Sequence, residues 1–178
     1  MMPNKLTPLE KGTNPMNRIL LAAFVVAVIA VSLGAAYSSQ HPTPAQMVAA
    51  ADTLDKAFLA AFNKGDADAL TALYWDSPDV VQFPPDTLQV RGMTALKAAN
   101  RSMMTNFKGA KLELTEAHQM PAGDVVIGWG LWRITMPGPD GKPTTMVGRY
   151  TDIKAQHNGK WVIIHDHASA PLPPPPAP

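Results

Sequence analysis

Four segments in the second half of this 178-residue chain, "KLELTEAHQM", "DVVIGWGLWRITM", "PTTMVGRYTDIKAQ" and "KWVIIHDHAS", read as strands separated by "PAG", "PGPDG" and "HNG". Connections this short cannot carry the chain over to a parallel neighbour, so each strand must fold back on the one before it. The expectation is a four-stranded antiparallel meander. Its strands are longer than usual, and Gly128, Gly130 and Gly148 mark places where the sheet can bend. A long, bent sheet needs helices inside its curve to cover its apolar face.

The first half supplies them. In "TPAQ", Thr43 is placed to cap a helix, Pro44 to open it and Gln46 to reach back to the cap. Met47, Ala51, Leu54, Phe58, Ala61 and Phe62 then recur at helical spacing, and Gly65 ends the run. Asp66 can cap a shorter second helix with Leu70, Leu73 and Tyr74 on its inward face. "DVVQF" is strand-like and "PPD" breaks it, after which a third helix carries Leu96, Ala99, Met103 and Phe107 on one stripe. Helices followed by an antiparallel sheet make an α+β domain, a cone with an interior that side chains need not fill completely.

The ends of the chain are of another kind. Residues 19–36, "ILLAAFVVAVIAVSLGAA", form an uncharged apolar run after Arg18 and before a polar stretch, and Gly34 and Ala36 precede a cut site at Tyr37. The reading is a signal peptide over 1–36, with Met16 a possible true start, a linker over 37–43, a domain over 44–171 and a proline-rich tail over 172–178. The domain is therefore expected in the periplasm or outside the cell, with a membrane contact only if the apolar segment stays uncleaved. "PLPPPPAP" can only be an extended, solvated segment. No cysteine is present, which excludes disulfides, thiolate metal sites and thiol nucleophiles. A net charge of +1 with scattered basic residues gives no footprint for nucleic acid.

The stretches "AFNKGDADALTALYWDSPDVVQFPP", "VRGMTALK" and "GRYTDIKAQHNGKWVIIHDHASAP" carry a family resemblance over roughly residues 45–171. The chain resembles the NTF2-like superfamily, in particular SnoaL-like and ketosteroid-isomerase-like small domains and the association domain of calcium/calmodulin-dependent kinase II. Its most specific element is the turn Asn158 to Trp161 followed by His165, His167 and Ser169. The resemblance implies three helices packed in a curved antiparallel sheet. It does not imply one function, because this scaffold hosts isomerases, cyclases, dehydratases, binding modules and assembly domains.

Particular chemistries can be weighed residue by residue. The isomerase pattern needs polar groups where this chain has Phe58, Phe83 and about Thr151, so steroid isomerisation is not expected. The association-domain pattern uses arginines for small carboxylates; Arg133 matches one, whereas Asp152 and Ala168 replace others. An Arg133–Asp152 ion pair inside the cone is the expected substitute, solvation of both the alternative. His165 and His167 share one strand face and Asp166 the other. Two histidines do not make a zinc site, and nothing in the spacing demands His118, His157 or Asp152 as a third ligand, so no metal and no cofactor are expected.

The candidates that remain are His165, His167 and Asp152 for acid–base work, with Asp152 or Asp166 orienting whichever histidine acts, and Trp129, Arg133, Tyr150, Phe58 and Phe83 for ligand contact. A packed, hydrogen-bonded histidine pair is the competing reading. By alternation Trp129, Leu131, Arg133 and Thr135 share a side, so if the arginine lines the cone these do too, with Trp132 and Ile134 opposite. Both faces of the last strands are apolar, which points to a second copy covering the outer face as a homodimer. The sequence thus supports a small organic ligand in the cone, with isomerase-, cyclase- or hydrolase-like chemistry open, against a non-catalytic assembly domain. An interior cavity with convergent polar groups favours the first; a cone plugged by Phe58, Phe62, Phe83 and Trp129 favours the second.

Overall fold

The structure, a computed structural model, describes residues 41–138 and 140–171. The apolar run and the proline tail lie outside the described residues. Among the described residues no helix is long and apolar enough to cross a membrane.

Helix α1 spans Pro44–Lys64 and starts with the expected capping box. Gln46 N–H donates to Thr43 Oγ1 at 3.3 Å, and Thr43 N–H donates to Gln46 Oε1 at 2.8 Å. At the far end Gly65 takes φ 71°, which lets its N–H close on the last-turn carbonyls. Met47, Ala51, Leu54, Ala61 and Phe62 form the buried stripe. Helix α2, Ala67–Thr71, is capped by Asp66, and α3 spans Met93–Asn106 with Leu96 and Asn100 buried.

Two short strands, β1 (Val81–Phe83) and β2 (Val90–Arg91), precede the expected meander of β3 (Lys111–Ala122), β4 (Val125–Met136), β5 (Thr144–His157) and β6 (Lys160–Ser169). Together they make a six-stranded sheet in the order β2-β1-β6-β5-β4-β3. β1 runs parallel to β6, with Gln82 beside Asp166 and Phe83 beside His167. A further parallel bridge joins Tyr74 to Ile163, so Tyr74 leaves α2 in extended form rather than riding its inward face as expected.

Helices α1 and α3 cover the inner face of the sheet. Leu54, Tyr74, Val80, Val90, Leu96 and Ile163 form one core cluster, and Phe62, Ala110, Leu112, Trp132 and Ile134 another. Burying each such large side chain is worth about 2 kcal/mol. Two bulges, at Thr115 in β3 and at Ile164 in β6, reset the alternation, so that Leu112, Leu114 and Gln119 all face inward, as do Ile163 and Asp166.

Candidate functional site

The inner side of the sheet carries one polar row across five strands. Its register partners are Gln82, Asp166, Asp152, Gly128 and Gln119, on β1, β6, β5, β4 and β3 in turn. All four polar side chains turn toward the helices, where each must find a partner.

They do so in two connected groups. Lys154, two residues after Asp152 and therefore on the same face, is fully buried. Its Nζ lies 2.8 Å from Asp152 Oδ1, 2.9 Å from Asp55 Oδ1 on α1 and 3.3 Å from Gln119 Oε1. Gln119 Nε2 in turn donates to Asp55 Oδ2 at 2.6 Å. Gly128 makes this meeting possible: a Cβ there would collide with Asp152 Oδ1 and stand 2.7 Å from Lys154 Nζ. In the second group Tyr74 donates its hydroxyl to Asp166 Oδ2 at 2.8 Å, and Gln82 Nε2 donates to the same oxygen at 3.2 Å. Both donors reach the same oxygen, Oδ2.

Asp152 and Asp166 stand directly opposite on neighbouring strands. Burial raises the Asp152 carboxyl to about 6, with Lys154 opposing the rise and Asp55 and Asp166 adding to it. Burial also raises Asp166, against the hydrogen bonds from Tyr74 and Gln82. The Tyr150 hydroxyl is pushed upward by burial and by Asp55, Asp152 and Asp166, so it stays a neutral phenol. At neutral pH Asp152 is mostly ionised and poised to take a proton.

These groups border a cavity of about 510 Å³ between sheet and helices. Its walls are apolar, with Phe58, Phe62, Phe107, Trp132, Ile134 and Met146 among them, and Asp55, Gln82, Asn100, Tyr150, Asp152 and Asp166 are the polar groups toward which it opens. Pro84 to Thr87, the turn between β1 and β2, edge it. Among the described residues, two buried polar atoms, Asn100 Oδ1 and Tyr150 OH, have no hydrogen-bond partner.

Among the expected site residues, Asp152, Tyr150 and Phe58 line this cavity together. Trp129 and Arg133 do not, which corrects the placement made by parity. Trp129 is 38 % exposed and stacked on His118, while Arg133 lies 4.0 Å from Glu113 on the outer face. Trp132 and Ile134 point inward instead. That choice keeps the guanidinium solvated and buries the indole, whose Nε1 donates to the Arg149 carbonyl at 3.1 Å. The expected Arg133–Asp152 pair is accordingly absent, and Lys154 takes the role of counter-charge.

His165 and His167 also project to the outer face, each meeting the ring of Phe83 edge-on at centroid distances of 5.5 and 6.2 Å. Phe83 is therefore their packing partner and not a cavity wall. Of the HxH strand it is Asp166 that faces the cavity. Among the described residues no three His, Cys, Asp or Glu side chains gather closely enough to hold a metal ion.

Sequence reasoning missed Asp55, Tyr74, Gln82 and Lys154. Lys154 was within reach of the alternation that pairs Tyr150 with Asp152, and Gln82 is a lone polar residue within a buried apolar strand. Nothing local marks Asp55 or Tyr74, whose partners lie far along the chain.

The helix-backed, mostly antiparallel sheet around a hollow interior has the fold of NTF2-like proteins. Residues 52–173 match the model of the SnoaL-like domain, and the chain belongs to that family. It is similar to a candidate dehydratase of the NTF2-like family from Streptomyces avermitilis, at 20 % identity over 73 % of this chain and 100 % of that one, with a TM-score of 0.66. It is likewise similar to a candidate calcium/calmodulin-dependent protein kinase II association domain from Xanthomonas campestris, at 25 % identity, 76 % and 91 % coverage and a TM-score of 0.60. An NTF2-like superfamily protein from Salmonella enterica aligns at 22 % identity over 68 % of this chain and 88 % of its own, with a TM-score of 0.61. Comparison with curated proteins finds no match.

Proposed function

We propose that this domain binds a small, largely apolar organic molecule inside its cone and that Asp152 can exchange a proton with it. The observation that carries this reading is the cavity itself: Phe58 and Phe62 form its walls without filling it, while Phe83 and Trp129 turn away to the other face. An interior of about 510 Å³ with apolar walls and a polar end has the size and character of small-molecule sites. The carboxyl row supports proton transfer, since a base with a pKa near 6 works close to its own midpoint at neutral pH. The uncharged apolar run at residues 19–36 of the sequence supports export to the periplasm or beyond.

The outer face supports self-association. Trp129, Leu131 and Val147 stand 38 %, 45 % and 50 % exposed on adjacent strands β4 and β5, a patch of the kind that a second copy covers. A purely assembling, non-catalytic domain is the second reading, and the same patch is what favours it.

The two readings separate in native mass spectrometry of protein purified from its own host. Ligand binding predicts a retained compound that disappears in an Ala168→Phe variant, because Ala168 lines the cavity and its enlargement occupies the space. Folded protein that carries no compound and takes up no added naphthylmethanol leaves only the assembly reading.

A further inference from the structure

Every charged residue lining the cavity is an aspartate: Asp55, Asp86, Asp152 and Asp166. The one buried cation nearby, Lys154, sits behind this wall with its ammonium already directed to Asp55, Asp152 and Gln119. Asp166 has only neutral donors, Tyr74 and Gln82, and both serve a single oxygen. The wall therefore holds more negative groups than positive ones, and that imbalance is turned toward the hollow. Independently, the buried Oδ1 of Asn100 is an acceptor with no donor among the described residues, while the amide nitrogen of the same side chain donates to Thr71 Oγ1 at 3.1 Å. A buried acceptor left unmet costs free energy that a ligand donor would recover. Phe58, Phe62, Phe107, Trp132 and Tyr150 also line the cavity, and aromatic rings attract a cation placed over their faces.

We propose that the cone selects an apolar molecule carrying a cationic, hydrogen-donating head, an aliphatic or arylalkyl ammonium, with the head against Asp166 and Asp152 and the body among the aromatic side chains. This inference rests on the reading of the cone as a small-molecule site. A carboxylate ligand would meet only like charges there, and a neutral one would leave Asp166 uncompensated. An ammonium close to the carboxyl row stabilises its ionised form, so near pH 6, where Asp152 is still partly protonated, binding expels a proton. The charged and polar groups around the carboxyl row are Tyr74 and Gln82 beside Asp166, His165 as its chain neighbour, Lys154 and Asp55 beside Asp152, Asp52 and Tyr150 nearby, and Asp86 on the edging turn.

The test uses three ligands with one skeleton, naphthylmethylamine, naphthylmethanol and naphthoate, titrated by calorimetry into the full chain and into Asp166→Asn and Asp152→Asn variants. The amine should bind about tenfold or more tighter than the alcohol at about pH 7.5, and the carboxylate weakest. Near pH 6, where Asp152 is about half protonated, amine binding should release protons, seen as an enthalpy that changes between buffers of different ionisation heat, whereas alcohol binding should not. The amine's advantage over the alcohol should shrink by about tenfold at pH 5, where Asp152 is mostly protonated, and likewise in Asp166→Asn at the higher pH. Unchanged alcohol affinity certifies that each variant is folded with its cavity intact. If the alcohol binds and the amine gains nothing, or the carboxylate binds best, the charge selection is wrong while the cone remains a binding site. If none of the three binds, the small-molecule reading fails and this inference falls with it.

Discussion

Replacing Lys154 with methionine removes the single positive charge from the buried network while keeping most of its volume. Lys154 is 0 % exposed and lies 2.8 and 2.9 Å from two carboxylates. Taking away one partner of a buried ion pair costs about 3–5 kcal/mol, because the remaining charges are left uncompensated. The lower end applies here, since a stranded carboxyl can neutralise itself by binding a proton. Even with Lys154 in place, Asp152 titrates at about 6 instead of its ordinary 3.8, so its ionised form already costs the folded state about 3 kcal/mol. That cost is full above pH 6, shrinks as the pH falls through 6, and is gone below 3.8. Without the ammonium the carboxyl rises further, so the added penalty is largest at neutral to basic pH and relieved in acid. Urea unfolding followed by tryptophan fluorescence should give Lys154→Met a loss of about 3 kcal/mol at about pH 7.5, narrowing to about 1 kcal/mol near pH 5. A loss that is the same at both pH values would mean that lysine packing, not charge pairing, matters, and a loss below about 1 kcal/mol at neutral pH would refute the buried network altogether.

Gly128→Ala tests the same network from the opposite strand, because the added Cβ forces Asp152 and Lys154 apart. It should cost about 1–3 kcal/mol in chemical unfolding and weaken naphthylmethanol binding. Thr43→Ala deletes one half of the capping box at the start of α1, and thermal unfolding should register about 0.5–2 kcal/mol of lost stability. Leu131→Asp places a charge in the exposed apolar patch; light scattering at micromolar concentration should read a dimer for the parent protein and a monomer for the variant, with far-ultraviolet dichroism unchanged. A monomeric parent protein would remove the proposed association.

Local chemistry made much of the fold readable. "HNG" forms a tight turn because Asn158 and Gly159 take φ 51° and 77°, the pair of positive values that a two-residue hairpin requires. Thr43, Pro44 and Gln46 define the start of α1 through hydrogen bonds spanning three residues, and so they can be read from neighbours alone. The orientation of β4 could not be read this way. Ile127, Trp129 and Leu131 are as apolar as Val126, Trp132 and Ile134, so alternation offers two equal faces. The decision falls to Arg133, which avoids burial, and to Gly128 and Gly130, which admit close neighbours. In β6 the bulge at Ile164 adds a residue that no pattern announces, although the opposition of Asp166 to His165 and His167 survives it.

The site itself was legible only in pieces. Asp152 and Tyr150 lie two residues apart on one strand, and alternation places them together. Asp166 reaches them through pairing of β5 with β6, Gln82 through the parallel addition of β1, and Asp55 through the seating of α1 across the sheet. These are long-range contacts, set by the packed domain and not by any stretch of its sequence.

The hollow interior can be tested most directly by nuclear magnetic resonance of methionine methyl groups during titration with naphthylmethanol. Met103 and Met146 line the cavity, whereas Met120 is an exposed side chain on β3. Saturable shifts of the Met103 and Met146 methyls, with Met120 unmoved, are the outcome expected of a cone that admits a guest. Shifts confined to Met120, or none at any of the three up to the ligand's solubility limit, would show that the interior is closed to small molecules.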